Sequence, residues 1–456
     1  MANQPIPAVK GTRDLYPAEY APVGAILETW RQVSLRHGFD EFDGPTLEHT
    51  ELYTRKSGDE IVEQLFTLTD RGGRSLALRP EMTPTLARMV AARAGSLPRP
   101  IKWFCLPRMY RGERPQRGRL REFYQWNADI LGVEGPLADA ECIFVAVDAL
   151  RELGLTAADA AVHISDRRLI QQVLQNYARV PPERLDAAFA LLDKGARLPR
   201  EEMARRWGEA FAESRAYDDI WGVLGSSTLA DLNARCGGGA GLDAAITANI
   251  ERLFESLTDF GIADYCKLDL HVVRGLAYYT GVVFEAYDRA GTLRAICGGG
   301  RYDNLLETVG GPRLTGAGFG MGDVVLLELL TDLGRVPKLA HAGGGVYVVG
   351  VAPKVEGESP EAAGARQRKR ERLQHGLVGG LRRGGYRAEF SHQSGNVGKQ
   401  MQKAAERGAA FVVFVSDRTM EQGIVELKDM STGQQREVAL DELMQNPPAY
   451  LGPPRD

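Results

Sequence analysis

The chain is expected to fold as an α+β protein, interrupted by a helical module and followed by a smaller α/β domain. Three observations predict this. Apolar runs of strand length, several joined by turns, fill residues 1–166 and 256–335. The stretch 167–255 between them is alanine-rich, helical in character and free of chemical motifs. Beyond a break at Val336–Gly345, strands and helices alternate through 345–456. A chain of 456 residues has room for about two to four such domains.

The elements follow from local pattern. Ile26, Trp30 and Val33 recur at helical spacing and predict a helix over Ala21–His37. Two strand-like runs in Gln64–Arg79 flank Asp70–Gly73, a hairpin signal. Thr83–Ala94 predicts a helix with Pro84 tolerated in its first turn, and Thr83 alone reads best as its cap. Ile101–Pro107 predicts a buried strand, and Arg119–Gly132 a second one, with a loop at Glu113–Gly118. Strand character returns at Lys267–Val273, Val282–Tyr287, Ala295–Asp303 and Gly316–Gly322. In the last domain, strands at Val346–Val351, Tyr386–Phe390 and Ala410–Val415 alternate with helices within Pro360–Arg383 and Val397–Arg407. A Thr432-Gly433 hairpin follows, and the sheet is expected to be partly parallel.

Composition removes several classes. Hydrophobic content of 44% and charged content of 25% fit a globular protein with real cores. No apolar run reaches the roughly 18 residues of a membrane span, and Met1–Pro7 lacks the cationic start and apolar centre of a secretory signal. The five cysteines are scattered, with no CxxC pair and no Cys/His cluster. Reduced thiols, a cytoplasmic setting and no zinc are therefore expected. No P-loop is present.

The chemistry concentrates in Arg108–Asp129. Arg108, Arg111, Arg114, Arg117, Arg119 and Arg121 crowd this window although the whole chain carries a net charge of -4. Arginine runs more often mark a solvated face. Strand alternation, however, puts Arg119, Arg121 and Phe123 on one side, two cations and a ring suited to a triphosphate and a stacked base. Gln125 and Asp129 share that side, an interior one, where buried polar groups need partners and so expect a polar ligand. Gly316-x-Gly-x-Gly-x-Gly322 strips one strand face of side chains, either for a flat ligand or for crowded packing.

Together with Gly11–Pro17, Leu78–Thr83, Arg274-Gly-Leu-Ala-Tyr-Tyr279 and Gly298-Gly-Gly-Arg-Tyr-Asp303, this window resembles the class II aminoacyl-tRNA synthetases, and among them the histidyl-tRNA synthetases, over nearly the whole chain. The resemblance implies a catalytic domain on an antiparallel six-stranded sheet. It implies a helical insertion toward the tRNA acceptor arm, an α/β anticodon-binding domain and a homodimer with Pro45 near its interface. The implied reaction activates L-histidine with ATP, aided by Mg²⁺, and passes it to the 3′ end of tRNA(His). Arg111 resembles the residue that contacts the α-phosphate and the histidine carboxylate, and Arg274 the second catalytic arginine on the other side of the same phosphate. Arg119 and Arg121 would hold the outer phosphates, Phe123 would stack on adenine, and Glu113 would lie near its edge. Glu81, Thr83 and Gln125 resemble the residues around the α-ammonium. Asp129 and Tyr279 resemble those that bond the imidazole nitrogens, with Tyr278 in the same pocket. Gln116 would meet the first base pair of the acceptor end.

Two positions depart from the family pattern. Ala277 stands where the family usually has Asp, and Val325 where a stacking arginine usually ends motif 3. Both departures suit a rival, the synthetase-like, histidine-sensing regulatory subunit of ATP phosphoribosyltransferase. Residues Val346–Leu440 argue against that rival, because it lacks the last domain. A degenerate RNA-binding module is a third possibility. The set Glu81, Arg111, Gln125, Arg274 and Tyr279 argues against it.

Overall fold

The computed structural model describes residues 6–55, 62–195, 198–237, 242–273, 278–337, 345–352, 355–392 and 396–454. Two compact units divide the chain, Met1–Pro337 and Lys338–Asp456.

The first unit is built on a nine-stranded sheet. Its strands are β1 (Asp40–Glu41), β5 (Ile101–Cys105), β6 (Arg108–Tyr110), β7 (Glu122–Leu131), β8 (Ala160–Asp166), β9 (Cys266–Leu268), β10 (Val282–Asp288), β11 (Cys297–Arg301) and β12 (Gly316–Gly322). A separate small sheet holds β2 (Leu47–His49), β3 (Phe66–Thr69) and β4 (Ser75–Leu78). The large sheet runs β1-β5-β7-β12-β11-β10-β8-β9, with β6 paired to β7.

The expected count of six strands is corrected to nine. The run from β5 to β8 pairs antiparallel throughout, and the additions are short. β6 continues the hairpin with β7, while β1 and β9 join the two edges parallel. The parallel edges have a topological cause. Neighbouring parallel strands need a long crossover between them. The helical segment leaves the end of β8 at Arg167 and returns the chain at Cys266, so it is the crossover that lays β9 beside β8.

Along β12 the side chains alternate, as a strand requires. Ala317, Phe319 and Met321 enter the main core, while Gly316, Gly318, Gly320 and Gly322 form the other face. Trp30 of the helix Pro17–Arg36 stacks on Trp126 of β7 at 5.8 Å between ring centroids. The indole of Trp126 donates to Ser34 at 2.9 Å. One face of the sheet is thereby sealed, and the glycine face is left for the site. The helical segment has its own core, around Trp207, Phe211, Ile220 and Leu224.

The second unit carries β13 (Val346–Gly350), β14 (Ala388–Phe390), β15 (Phe411–Val415), β16 (Ile424–Asp429) and β17 (Gln435–Ala439), in the order β14-β13-β15-β16-β17. The first two pairings are parallel and the last two antiparallel. Gly433 takes a φ of 74° in the β16–β17 turn, a conformation that glycine adopts without penalty. The helix Pro360–Arg383 is capped by Ser359, whose hydroxyl accepts from the Ala362 amide at 3.2 Å, and it buries Leu377 and Leu381 in the core of this unit.

Candidate active site

The bare face of β12 lies against β7. A Cβ placed on Gly318 would sit 2.0 Å from a carboxylate oxygen of Asp129, and one on Gly320 would meet the Gln125 amide at 2.9 Å. On Gly316 it would strike the Tyr302 ring at 2.5 Å. At Gly322 the nearest contact is Phe123 at 3.9 Å. Both readings of the glycine ladder thus have a place. Its inner end is crowded packing, and its outer end opens into a cavity of about 860 Å³.

That cavity gathers Arg111, Glu113, Arg119, Phe123 and Gln125 from the arginine-rich window, with Gly320, Gly322 and Val325 opposite. Arg111 is held from behind. Its Nε donates to the Pro80 carbonyl at 3.0 Å, and its guanidinium lies 5.2 Å from the Phe123 ring centroid. Among the described residues no carboxylate pairs with it. Arg119 forms an ion pair with Glu113. Arg121, placed by strand alternation beside Arg119 and Phe123, is turned elsewhere. It donates to the carbonyls of Glu113 and Lys10 at 3.1 and 3.4 Å, and it does not line the cavity. The reason is local: between β6 and β7 only the bridge Gln116–Arg119 is regular, so strict alternation does not hold there.

The hairpin tip is clamped to the helix Asp323–Asp332. Glu328 accepts from the Gly118 amide at 2.9 Å and from Arg117 at 3.1 Å, and Asp332 accepts from Arg117 at 2.7 Å. Gln116 sits exposed at this tip, outside the cavity lining. Arg108 pairs with Glu122 at 2.6 Å, away from the cavity.

Beyond Gln125 the glycine face runs into a buried floor. Asp129 is 1% exposed, and one of its oxygens accepts from the Tyr302 hydroxyl at 2.5 Å. The other oxygen is buried and accepts no hydrogen bond among the described residues. Burial pushes this carboxyl up to about 7, against the pull of the Tyr302 bond. Glu81 is 3% exposed and accepts from Tyr278 at 3.0 Å. The Tyr278 and Tyr279 rings meet edge to face at 5.2 Å, and burial raises both phenols. Thr83 opens the helix Thr83–Arg93, but the cap position is Met82 and no side chain caps it, which corrects the expected capping role. Arg274 and Ala277 lie outside the described residues.

Several groups at the site were not singled out from sequence. Tyr302 orients Asp129, and the neighbouring Arg301 makes a buried pair with Asp139 at 2.7 Å; both stand in the Gly298–Asp303 motif. Asp323 is fully buried, accepts from Arg13 at 2.6 Å and from the Tyr124 amide at 2.9 Å, and so ties the N-terminal segment to the strand carrying Phe123. Asp269 stands between two imidazoles, 2.9 Å from His163 and 3.1 Å from His271. Burial alone would raise this carboxyl, but the bonds from His163 and His271 hold it well below the usual range. His271 also contacts the Trp221 carbonyl at 3.0 Å, linking the cavity wall to the helical segment. No spacing rule signals that link, because its members are far apart in sequence.

Comparison with known proteins gives a consistent result. The family model of histidyl-tRNA synthetase matches residues 11–322, and that of an anticodon-binding domain matches 346–446. A histidine–tRNA ligase from Opitutus terrae is 38% identical over 440 residues, covering 96% of each chain. A chloroplastic/mitochondrial histidine–tRNA ligase from Arabidopsis thaliana is 37% identical over 434 residues, covering 95% of this chain and 85% of that one. Among solved structures, a histidyl-tRNA synthetase from Nostoc has a TM-score of 0.73 at 21% identity, covering 96% of this chain and 99% of its own. A Bacillus halodurans protein, described as an ATP phosphoribosyltransferase regulatory subunit/histidyl-tRNA synthetase, gives 0.68 at 22%, covering 91% of this chain and 99% of its own. These two likenesses establish shared fold.

Proposed function

The chain belongs to the histidyl-tRNA synthetase family, and from that premise we propose how its residues join histidine to tRNA. In the first step the histidine carboxylate attacks the α-phosphorus of ATP, giving histidyl-adenylate and releasing diphosphate. In the second a ribose hydroxyl at the 3′ end of tRNA(His) attacks the carbonyl of the adenylate, and AMP departs. The regulatory-subunit alternative is not favoured, since the curated ligases match over nearly the full chain, last domain included.

The observation that carries the site assignment is a pair of groups with unused bonding capacity, Arg111 in the cavity lining and Asp129 on the buried floor beyond Gln125. Among the described residues, Arg111 is fixed by Pro80 and meets no carboxylate, and Asp129 is fixed by Tyr302 with one oxygen that accepts no hydrogen bond. A ligand with a carboxylate at one end and an N–H donor at the other completes both. Histidine is such a ligand. Two anions must meet in the first step, so a preset guanidinium at the phosphate lowers the barrier without reorganising. Arg274 is assigned the opposite side of that phosphate on family resemblance.

Arg119 and Arg121 are assigned the outer phosphates, and of these Arg119 is the better supported because it lines the cavity. Phe123 is assigned the adenine ring and Glu113 its edge. Glu81, Thr83 and Gln125 are assigned the α-ammonium, with Glu81 supplying buried negative charge. Asp129 and Tyr279 are assigned the imidazole nitrogens, beside Tyr278. Gln116 is assigned the acceptor end, and its exposure at the hairpin tip suits that contact. Magnesium enters as part of the nucleotide substrate, bound largely through phosphate oxygens. A class II mechanism, a homodimer and a cytoplasmic setting complete the proposal. So do the domain limits 1–166, 167–255, 256–335 and 345–456. No described helix is long and apolar enough to cross a membrane.

The test is ATP–diphosphate exchange with each amino acid in turn. Exchange is expected with histidine alone. Histidine binding with no exchange would hand the site to the sensing role.

A further inference from the structure

Val325 leaves the nucleotide without the arginine that the family places there, and the cavity contains a replacement. Carboxylates of the cavity wall have partners: Glu113 has Arg119, Glu285 accepts from the Tyr287 hydroxyl, Asp269 has two imidazoles, and Asp288 accepts from the amides of Thr292 and Leu293 at 2.9 and 3.0 Å. Most nearby cations are committed too. Arg289 donates to the carbonyls of Ala157 and Asp264 at 2.9 and 3.3 Å, and Lys267 lies 3.9 Å from Asp269. Arg117 and Arg13 are bound to carboxylates. Arg294 differs. It lines the cavity, is exposed, and has no hydrogen bond or ion pair among the described residues.

Its position is also telling. A Cβ on Gly118, at the hairpin tip, would lie 3.3 Å from Val325 and 3.9 Å from the Cδ of Arg294. Both side chains therefore converge on one point at the cavity mouth. The backbone beneath Arg294 is held on both sides. Asp288 fixes Thr292 and Leu293, and the Ile296 amide donates to Ala286 at 2.7 Å.

We propose that Arg294 supplies the nucleotide contact missing at Val325, laying its guanidinium on the face of the adenine ring opposite Phe123. Guanidinium planes stack on aromatic faces, and a desolvated cation–π contact of this kind is worth several-fold to more than tenfold in affinity. The proposal rests on the nucleotide site described above, and its test separates the two.

Labelled ATP is bound to the full-length protein by equilibrium dialysis and displaced with adenosine or with tripolyphosphate. In Arg294→Ala, ATP and adenosine should both weaken about tenfold, tripolyphosphate should be unchanged, and the histidine KM in exchange should not move. Arg294→Lys, which keeps the charge but loses the plane, should resemble the alanine variant for adenosine. Unchanged ATP affinity overturns the proposal. A loss seen with tripolyphosphate but not adenosine also overturns it, since it moves the contact to phosphate. Wild-type protein that binds ATP without histidine-dependent exchange defeats the ligase reading alone, because the displacement pattern still decides Arg294.

Discussion

The two ends of the glycine ladder are built on opposite principles. At the outer end, around Arg111, Arg119 and Arg294, charges stand partly exposed and are restrained by a carbonyl, a carboxylate or a pinned turn. At the inner end, around Asp129, Glu81 and Tyr302, the groups are buried and held by phenolic hydroxyls. The outer end can exchange partners as a polyanion arrives and leaves. The inner end offers only a few unfilled positions, so a ligand of the wrong shape strands buried polar atoms there. Such stranding is how a site rejects close analogues by large factors without a second checking step.

Breaking the outer end should have the largest effect. Arg111→Ala is expected to slow histidine-dependent exchange by about 10²–10³ while the thermal midpoint stays put. Exchange within a fewfold of wild type would show that this cation does not serve the reacting phosphate.

The inner end should respond more narrowly. Asp129→Asn is expected to raise the histidine KM by about 10- to 100-fold, with the ATP KM little changed. Its stability should also lose a pH dependence. Burial raises the Asp129 carboxyl to about 7 in the fold, from about 4 for an ordinary aspartate. The folded state therefore holds the extra proton between those values, and stability should fall as pH rises through that window, by up to about 4 kcal/mol. Chemical denaturation of the unliganded protein from pH 5 to 8 measures this. Equal slopes in wild type and Asp129→Asn would contradict the account of the floor.

The smallest catalytic effect is expected away from both ends. Arg13→Met strands the buried Asp323 and should cost about 1–3 kcal/mol of stability, with exchange at 25 °C lowered only a fewfold. A collapse of exchange in a protein that melts normally would mean the N-terminal segment acts on the reaction itself.

Much of this was legible in the chain because it depends on local repetition. Alternating glycines, the apolar runs and the strand positions of Phe123, Gln125 and Asp129 all follow from a period of two. The helix Pro360–Arg383 falls within the limits its pattern predicts. What stayed hidden depends on pairing across distance. Arg121 departs from its expected side because the segment before β7 is an irregular hairpin covered by Gly11 and Lys10. Tyr302 on Asp129, Arg13 on Asp323 and His271 on Asp269 each join elements that only the sheet order brings together, or, for the last, depend on a turn closing. β9 overlaps the start of the run Lys267–Val273, whose strand character the pattern shows, and the count of six came from the family resemblance, whose antiparallel run excludes the short parallel edges β1 and β9.

The parallel seam between β8 and β9 carries a last implication. A strand can run alongside its neighbour in the same direction only if the intervening chain travels back the full length of that neighbour. The helices from Arg167 to Asp259 make that return journey. Trimming them to a tight loop would leave β9 no route to its seat and would unmoor Asp269 and His271, just upstream of Arg274. The helical segment is thus part of the first unit's own wiring and not a detachable appendage.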